Sequence, residues 1–362
     1  MSKLLAMLMN LQKEQFINLN IYGSPTINNN IVSNFSSSNY IRLDYPFDLS
    51  KNIEIEFDFT TSNDVTTQQS LFWQDKGFGC FIQNNNLLFY VRDNNENISK
   101  TANITISANT NYKIRIVKIG TTVKWFIGTT SLIEQESFIN RDFTNLTNYY
   151  MTVGTAIGSN TYFSGSVNFA NSYTKVDNIK YKYQFTISLT KVGNPTIVDG
   201  VVSGFSSSDY LRTTNSFSFN KTFEINIKTK LNTVATGFNG IFIIDSSSPT
   251  KRLSLEFNGQ LSFRLYRYDI DSSSIVSFGI WNIGHNNDWI NVILSYDYDT
   301  KILNLLIKKE DTILYSNNFN NTEFIGGNLT MGYVFNLLNG EIDNNNSNII
   351  LDGTKYIFTL PQ

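Results

Sequence analysis

The chain is poor in the residues that build most catalytic and redox sites. Among its 362 residues there is one Cys, Cys80, and one His, His285. A single Cys excludes an internal disulfide, and one Cys with one His cannot complete a Cys/His zinc site. A Ser/His/Asp triad has only His285 to draw on. That residue sits in the loop-like run Ile283-Gly284-His285-Asn286-Asn287, where nothing marks a nucleophile. An excess of one charge is lacking too. Lys and Arg total 28 and Asp and Glu total 30, so the net charge is −2, with no basic stripe. That leaves no field for phosphate capture, and no nucleic-acid partner is expected. No apolar run approaches the ~20 residues of a membrane span, so no membrane partner is expected either. The opening run Met1-Ser2-Lys3-Leu4-Leu5-Ala6-Met7-Leu8-Met9 is short and is followed by no small-residue cleavage site, so it does not read as a signal peptide. Synthesis in a cytoplasm is expected.

What the chain has in quantity is apolar and aromatic residues, at 41% and 14%, and Asn. Each half can therefore bury a core. Short alternating runs dominate, such as Ile53 to Phe59, Asn111 to Ile119, Leu253 to Phe257 and Ile302 to Ile307. Their Ile, Phe, Tyr, Val and Thr suit half-buried strands. Turn signals such as Asn258-Gly259, Asn339-Gly340 and Asp352-Gly353 separate them and predict tight hairpins. The runs Asn28-Asn29-Asn30, Asn84-Asn85-Asn86 and Asn344-Asn345-Asn346 read as loop tips, because Asn tolerates the left-handed backbone. Helical periodicity is absent after residue 16.

An internal repeat sets the organisation. Residues 22–42 read YGSPTINNNIVSNFSSSNYIR and residues 192–212 read VGNPTIVDGVVSGFSSSDYLR, identical at 12 of 21 positions at an offset of 170. The match continues from Ile53 to Phe57 onto Phe223 to Ile227, and from Leu71 to Asp75 onto Ile241 to Asp245. Tyr112 to Ile116 matches Trp289 to Ile293 at offset 177, Met151 to Gly154 matches Leu329 to Gly332 at 178, and Gly165 to Asn168 matches Gly340 to Asp343 at 175. A period this long exceeds any solenoid unit. Two domains are expected, 16–185 and 186–362. Residues 1–15 have no counterpart. Leu4, Met7, Leu8 and Leu11 share one face of a short α-helix there and predict an anchoring or self-association element.

Some segments carry a family resemblance. Asp288-Trp289-Ile290-Asn291-Val292-Ile293-Leu294-Ser295-Tyr296-Asp297 resembles the laminin-G strand that begins with Trp and ends in Tyr-Asp. Leu329-Thr330-Met331-Gly332, with Leu338-Asn339-Gly340-Glu341-Ile342-Asp343, is similar to that family's late strand and its Gly-x-Ile-Asp turn. Tyr162-Phe163-Ser164-Gly165-Ser166-Val167-Asn168, then Ser172 to Val176, resembles the end of such domains in bacteriophage virion proteins. Asn168 stands in place of the usual Asp, and Tyr112 in place of the Trp. The resemblance implies an all-β fold of two tandem laminin-G-like, concanavalin-A-like jelly-roll sandwiches. It implies a non-enzymatic virion protein, a head or tail fibre or capsid decoration, with other virion proteins or copies of itself as partners and host-surface glycan as ligand. A bacterial carbohydrate-binding or adhesion protein is the alternative, and a glycoside hydrolase of the same fold a third reading.

Candidate site residues follow. Laminarinase-type hydrolases of this fold carry Glu-x-Asp-x-x-Glu on one strand face. Glu54, Glu56 and Asp58 share a face, but positions 60 and 61 are Thr, and the second copy has Glu224, Asn226 and Lys228. They read as solvent-facing strand residues, and no catalytic residue is expected. Calcium is the one metal the resemblance implies, and Asp75 and Asp245 occupy matching strand ends for it. Trp73, Trp125 and Trp289 fall within alternating strands and read as core. Tyr266, Tyr268, Asp269 and Asp271, ahead of a Ser-rich loop, form the candidate binding patch, with Trp281 beside a loop.

Overall fold

A computed structural model of the chain describes residues 14–156, 160–214, 221–232, 238–245, 252–258, 262–268, 273–278, 287–320, 328–331, 338 and 340–360. Every element among the described residues is a β-strand. The helix expected over 1–15, with its stripe Leu4, Met7, Leu8 and Leu11, lies outside them except for Glu14 and Gln15, and Gln15 opens a strand. Asp269, Asp271, Trp281 and His285 also lie outside them. The chain divides into two compact units, Met1–Phe185 and Thr186–Gln362.

The first unit is built from β1 (Gln15–Tyr22), β2 (Thr26–Asn28), β3 (Ile31–Ser33), β4 (Tyr40–Asp44), β5 (Ile53–Thr60), β6 (Gln69–Gln74) and β7 (Gly77–Gln83). There follow β8 (Asn86–Arg92), β9 (Asn97–Thr105), β10 (Asn111–Ile119), β11 (Thr122–Gly128), β12 (Ile133–Phe138), β13 (Met151–Val153), β14 (Ser166–Val176) and the first half of β15 (Ile179–Val192). One layer runs β1-β4-β13-β6-β7-β8-β9, antiparallel throughout. The other runs β2-β3-β14-β5-β10-β11-β12. β15 joins them, antiparallel to β14 and parallel to β1.

The second unit uses the rest of β15, then β16 (Thr196–Val198), β17 (Val201–Ser203), β18 (Tyr210–Thr213), β19 (Phe223–Leu231), β20 (Phe238–Asp245), β21 (Arg252–Asn258), β22 (Ser262–Tyr268) and β23 (Ser273–Phe278). It ends with β24 (Trp289–Asp297), β25 (Ile302–Lys309), β26 (Thr312–Phe319), β27 (Asn328–Met331), β28 (Gly340–Leu351) and β29 (Thr354–Thr359). Its layers are β15-β18-β27-β20-β21-β22-β23 and β16-β17-β28-β19-β24-β25-β26, with β29 pairing to β28 and β15. Strand for strand this is the order of the first unit.

Alternation builds each core. In the first unit Ile55, Phe57 and Phe59 of β5 meet Tyr112, Ile114 and Ile116 of β10, all buried. Trp125 of β11 is fully buried and stacks on Phe72 and Phe89 at 5.9 and 4.5 Å. In the second, Phe223, Ile225 and Ile227 of β19 face Tyr296, Leu294 and Val292 of β24.

That pairing corrects the sequence register. Phe57 pairs with Ile114 and Ile227 with Val292, so β10 corresponds to β24 at an offset of 178, not 177. A one-residue slip in a strand moves every side chain to the other face. Tyr112 therefore corresponds to buried Ile290, and Trp289 lies half-buried on the outer face of its sheet rather than in the core. Trp73 is also half-buried and faces outward, its ring against Gly79. Of the three tryptophans expected in the core, only Trp125 is there.

The Asn runs resolve into two devices. Asn29 and Asn30 have φ of 47° and 62°, and Asn84 and Asn85 have 50° and 59°, the left-handed pair that a two-residue hairpin of the right twist demands. Asn344-Asn345-Asn346, expected at a loop tip, instead forms a bulge inside β28.

Candidate functional site

The bulge shapes the outer face of the β19 sheet. Between Asp343 and Asn348, β28 carries extra residues opposite β19. Ser347 closes the gap: its hydroxyl donates to Asp343 O at 2.7 Å and accepts from Lys228 N at 3.0 Å. Asn344 and Asn345 donate to Phe358 O and Asp199 O at 3.0 and 2.9 Å. Asn346 turns back to Asp343 Oδ2 at 2.7 Å. Burial alone would push the Asp343 carboxyl up, but Asn346 and Lys228 bring it below the usual range.

On this face the register aligns Glu341 of β28, Lys230 of β19 and Trp289 of β24 in one row. Asp343, Lys228, Asn291 and Lys308 form the next. Lys228 pairs with Asp343 at 3.1 Å and Lys230 with Glu341 at 2.7 Å. Both ammonium groups lie about the Trp289 ring, 5.6 and 5.5 Å from its centroid. Lys309 pairs with Asp288 at 2.8 Å. Lys228, Asn287, Asp288, Trp289, Asn291, Lys309, Glu310 and Asn346 line an open groove of about 580 Å³. Both lining lysines are paired with carboxylates, so the groove presents amide and carboxylate hydrogen-bonding groups around one indole rather than free cations.

The same place in the first unit is closed. Asp58 stands where the second unit has Lys228, Asn111 where it has Trp289, and Asn171 where it has Asn346. Asn111 and Asn171 donate to the two Asp58 oxygens at 2.6 and 2.9 Å. Ser172 repeats the Ser347 bridge, donating to Asn168 O at 2.7 Å and accepting from Asp58 N at 3.0 Å. Arg115 grips Glu56 through Nε at 2.7 Å and Nη2 at 2.6 Å. Lys175 lies 3.1 Å from Glu54, and Tyr173 donates its hydroxyl to Glu54. Burial, then Glu54, pushes the Tyr173 phenol up. Burial would raise Glu54, but Tyr173 and Lys175 hold it low. Glu56 and Asp58 are buried, at 5% and 4% exposure, so the expectation of solvent-facing carboxylates is corrected. They point outward as alternation requires, but long neighbours on β10 and β14 cover them.

The other predicted site residues are not brought together. Asp75 is exposed in the turn between β6 and β7, and its contact is Arg92 at 3.1 Å. Asp245 ends β20, aligned with Arg252 and Asn328. No cluster of three metal-ligating acidic, His or Cys side chains occurs among the described residues. Tyr266 and Tyr268 lie in β22, Tyr266 at the register position of Tyr90 in the first unit. The groove around Trp289 was missed in sequence because Trp289 falls within an alternating strand and reads as core, whereas the burial pattern of β24 places it on the outer face.

No protein-family model matches the chain, and no curated protein is similar to it in sequence. Among solved structures it is similar to domains LG4-5 of the mouse laminin alpha1 chain, at 9% identity over 93% of this chain and 92% of that one, with a TM-score of 0.33. A legume lectin-like domain from Entamoeba histolytica is similar over 42% of this chain and 84% of its own, at 10% identity and a TM-score of 0.34. A prokaryotic β-1,3-1,4-glucanase from a mouse hindgut metagenome is similar over 43% and 90%, at 11% identity and a TM-score of 0.31. The strand pairings give the fold: among the described residues the chain is all-β, in two units, each a two-layered sandwich.

Proposed function

We propose that the chain is a non-enzymatic recognition protein that binds a neutral glycan in the groove around Trp289. The observation that carries this is the half-buried Trp289 indole lining a groove of about 580 Å³ in which Lys228 and Lys309 are each paired with a carboxylate. The C–H face of a pyranose is apolar and packs on an indole, while its hydroxyls need amide and carboxylate partners. Asn287, Asn291, Asn346, Asp288 and Glu310 offer both. The volume suits one or two sugar rings.

The absence of chemistry is part of the proposal. A glycosidase needs one protonated carboxylic acid beside a second carboxylate. Glu54, Glu56 and Asp58 are each engaged by cationic or amide donors, and Glu54 is held low. Turnover of a β-glucan by the pure chain, abolished by Glu54→Gln or Asp58→Asn, would overturn this. Placement on a bacteriophage particle, as fibre or capsid decoration, rests on the resemblance in sequence. Glycan recognition is common to that reading and to a bacterial adhesion protein.

The test is a glycan array probed with the full chain and with Trp289→Ala. The wild type is expected to bind a neutral glycan and the variant to lose at least about tenfold, some 1.4 kcal/mol. A chain that binds no glycan, or a variant that binds equally, contradicts the proposal.

A further inference from the structure

A second cavity, of about 760 Å³, opens in the first unit and shares no residue with the Glu54 face. Its walls are the turn Gly120-Thr121 between β10 and β11, the segment Asp48–Ser50 after β4, and the segment 140–147. Backbone bonds fix these pieces to one another. Leu49 N donates to Leu146 O at 2.8 Å, and Arg141 N donates to Thr121 O at 2.9 Å.

Lys118 lines this cavity with only 1% of its surface exposed. Its Nζ donates to Lys51 O at 2.8 Å and lies 5.2 Å from the Phe143 ring. An ammonium has three donors, and no carboxylate among the described residues lies within ion-pair distance of this one. Burial pushes it down, and the facing Asp48 and Asp177 oppose that only in part. The second unit has Tyr296 at the same place, buried at 2% exposure, so the fold accepts an uncharged side chain there. A buried cation without a paired carboxylate costs stability. Here the returns among the described residues are one carbonyl bond, to Lys51 O, and the Phe143 ring.

The rest of the lining carries acceptors. Asp48 takes both its bonds, from Ser50 N and Oγ, on Oδ1, leaving Oδ2 without a partner among the described residues. Asp142 accepts from Thr144 N at 2.9 Å. Arg141 is already committed to Glu96 at 3.0 Å and Asp93 at 3.6 Å. A ligand that uses both kinds of group has an anionic end for the remaining Lys118 donors and hydroxyls that donate to Asp48 and Asp142. We propose that this cavity binds a carboxylated sugar, its carboxylate on Lys118 Nζ and its hydroxyls on Asp48 and Asp142.

The site lies in the other unit from the Trp289 groove and stands or falls separately. The test titrates the full chain with glucuronate and galacturonate, and with glucose, galactose and acetate, followed by ligand-observed NMR. At least one uronate is expected to bind tenfold or more tighter than its neutral parent and than acetate. Lys118→Met should erase that preference while the β-sheet circular dichroism stays unchanged. Should Lys118→Met fail to fold, Asp48→Asn is expected to weaken the uronate several-fold. Trp289→Ala should leave uronate binding intact. The proposal is overturned if neither uronate outbinds its parent, if Lys118→Met folds and binds equally, if Asp48→Asn binds unchanged, or if Trp289→Ala removes the binding.

Discussion

Burial of single side chains sets the first level of the account. Trp125 is fully enclosed, stacked between Phe72 and Phe89, with its indole N–H unbonded. Trp125→Ala is expected to cost about 3–5 kcal/mol, the range for emptying a large aromatic from a core. Urea unfolding checks this, and a loss under 1 kcal/mol would show that the site collapses. Asp93 gives a pH dependence. Burial alone would raise its carboxyl, but N–H groups of Glu96, Asp142 and Asn95, with Arg141 behind them, hold it below the usual range. A folded value below the unfolded one, about 3.9, stabilises the fold fully above that pH, and the contribution fades as pH falls through the folded value. Asp93→Asn should therefore be less stable than wild type at pH 7, with the gap narrowing between about pH 5 and pH 2. A gap independent of pH contradicts this. One Cys and one His in the sequence exclude an internal disulfide and a Cys/His zinc site. Residue types alone could not show that Glu56 and Asp58 are covered, because that depends on Arg115, Asn111 and Asn171 from other strands.

Strands and turns were more legible, with two instructive failures. The Asn and Gly turns were readable because few residues accept a positive φ. Gly23 and Gly193, at φ 67° and 68°, anchor the best-matched stretch of the repeat, where an added Cβ would fall 2.2 Å from Asn39 Oδ1 or Asp209 Oδ1. Loop geometry therefore requires Gly at both positions. The bulge in β28 was illegible, because Asn-rich sequence serves a loop and a bulge equally well until the strand pairing is known. Its lock is testable. Ser347→Ala leaves Lys228 N without its acceptor and Asp343 O without its donor, for an expected loss of about 1–3 kcal/mol. Ser172→Ala should behave alike in the first unit. A neutral Ser347→Ala would mean that the bulge holds its shape without the bridge. The second failure was at β24, where the repeat slipped by one residue and Trp289 read as core, because apolar residues occur at both parities in Trp289 to Leu294.

At the scale of the whole chain, two units of one strand order have diverged on one face. In the first, the carboxylate of Asp58 is clamped by two amides. In the second, lysines, a tryptophan and a bulge of asparagines open a groove at the same register. This divergence would separate a closed face in the first unit from the proposed binding face in the second. The most direct measurement is a crystal structure of the full chain soaked with a neutral glycan identified on an array. A pyranose ring is expected against Trp289, with hydroxyls on Asn346 and Asp288, and none at Asp58. A glycan seated on the Asp58 face, or one bound away from Trp289, contradicts that expectation.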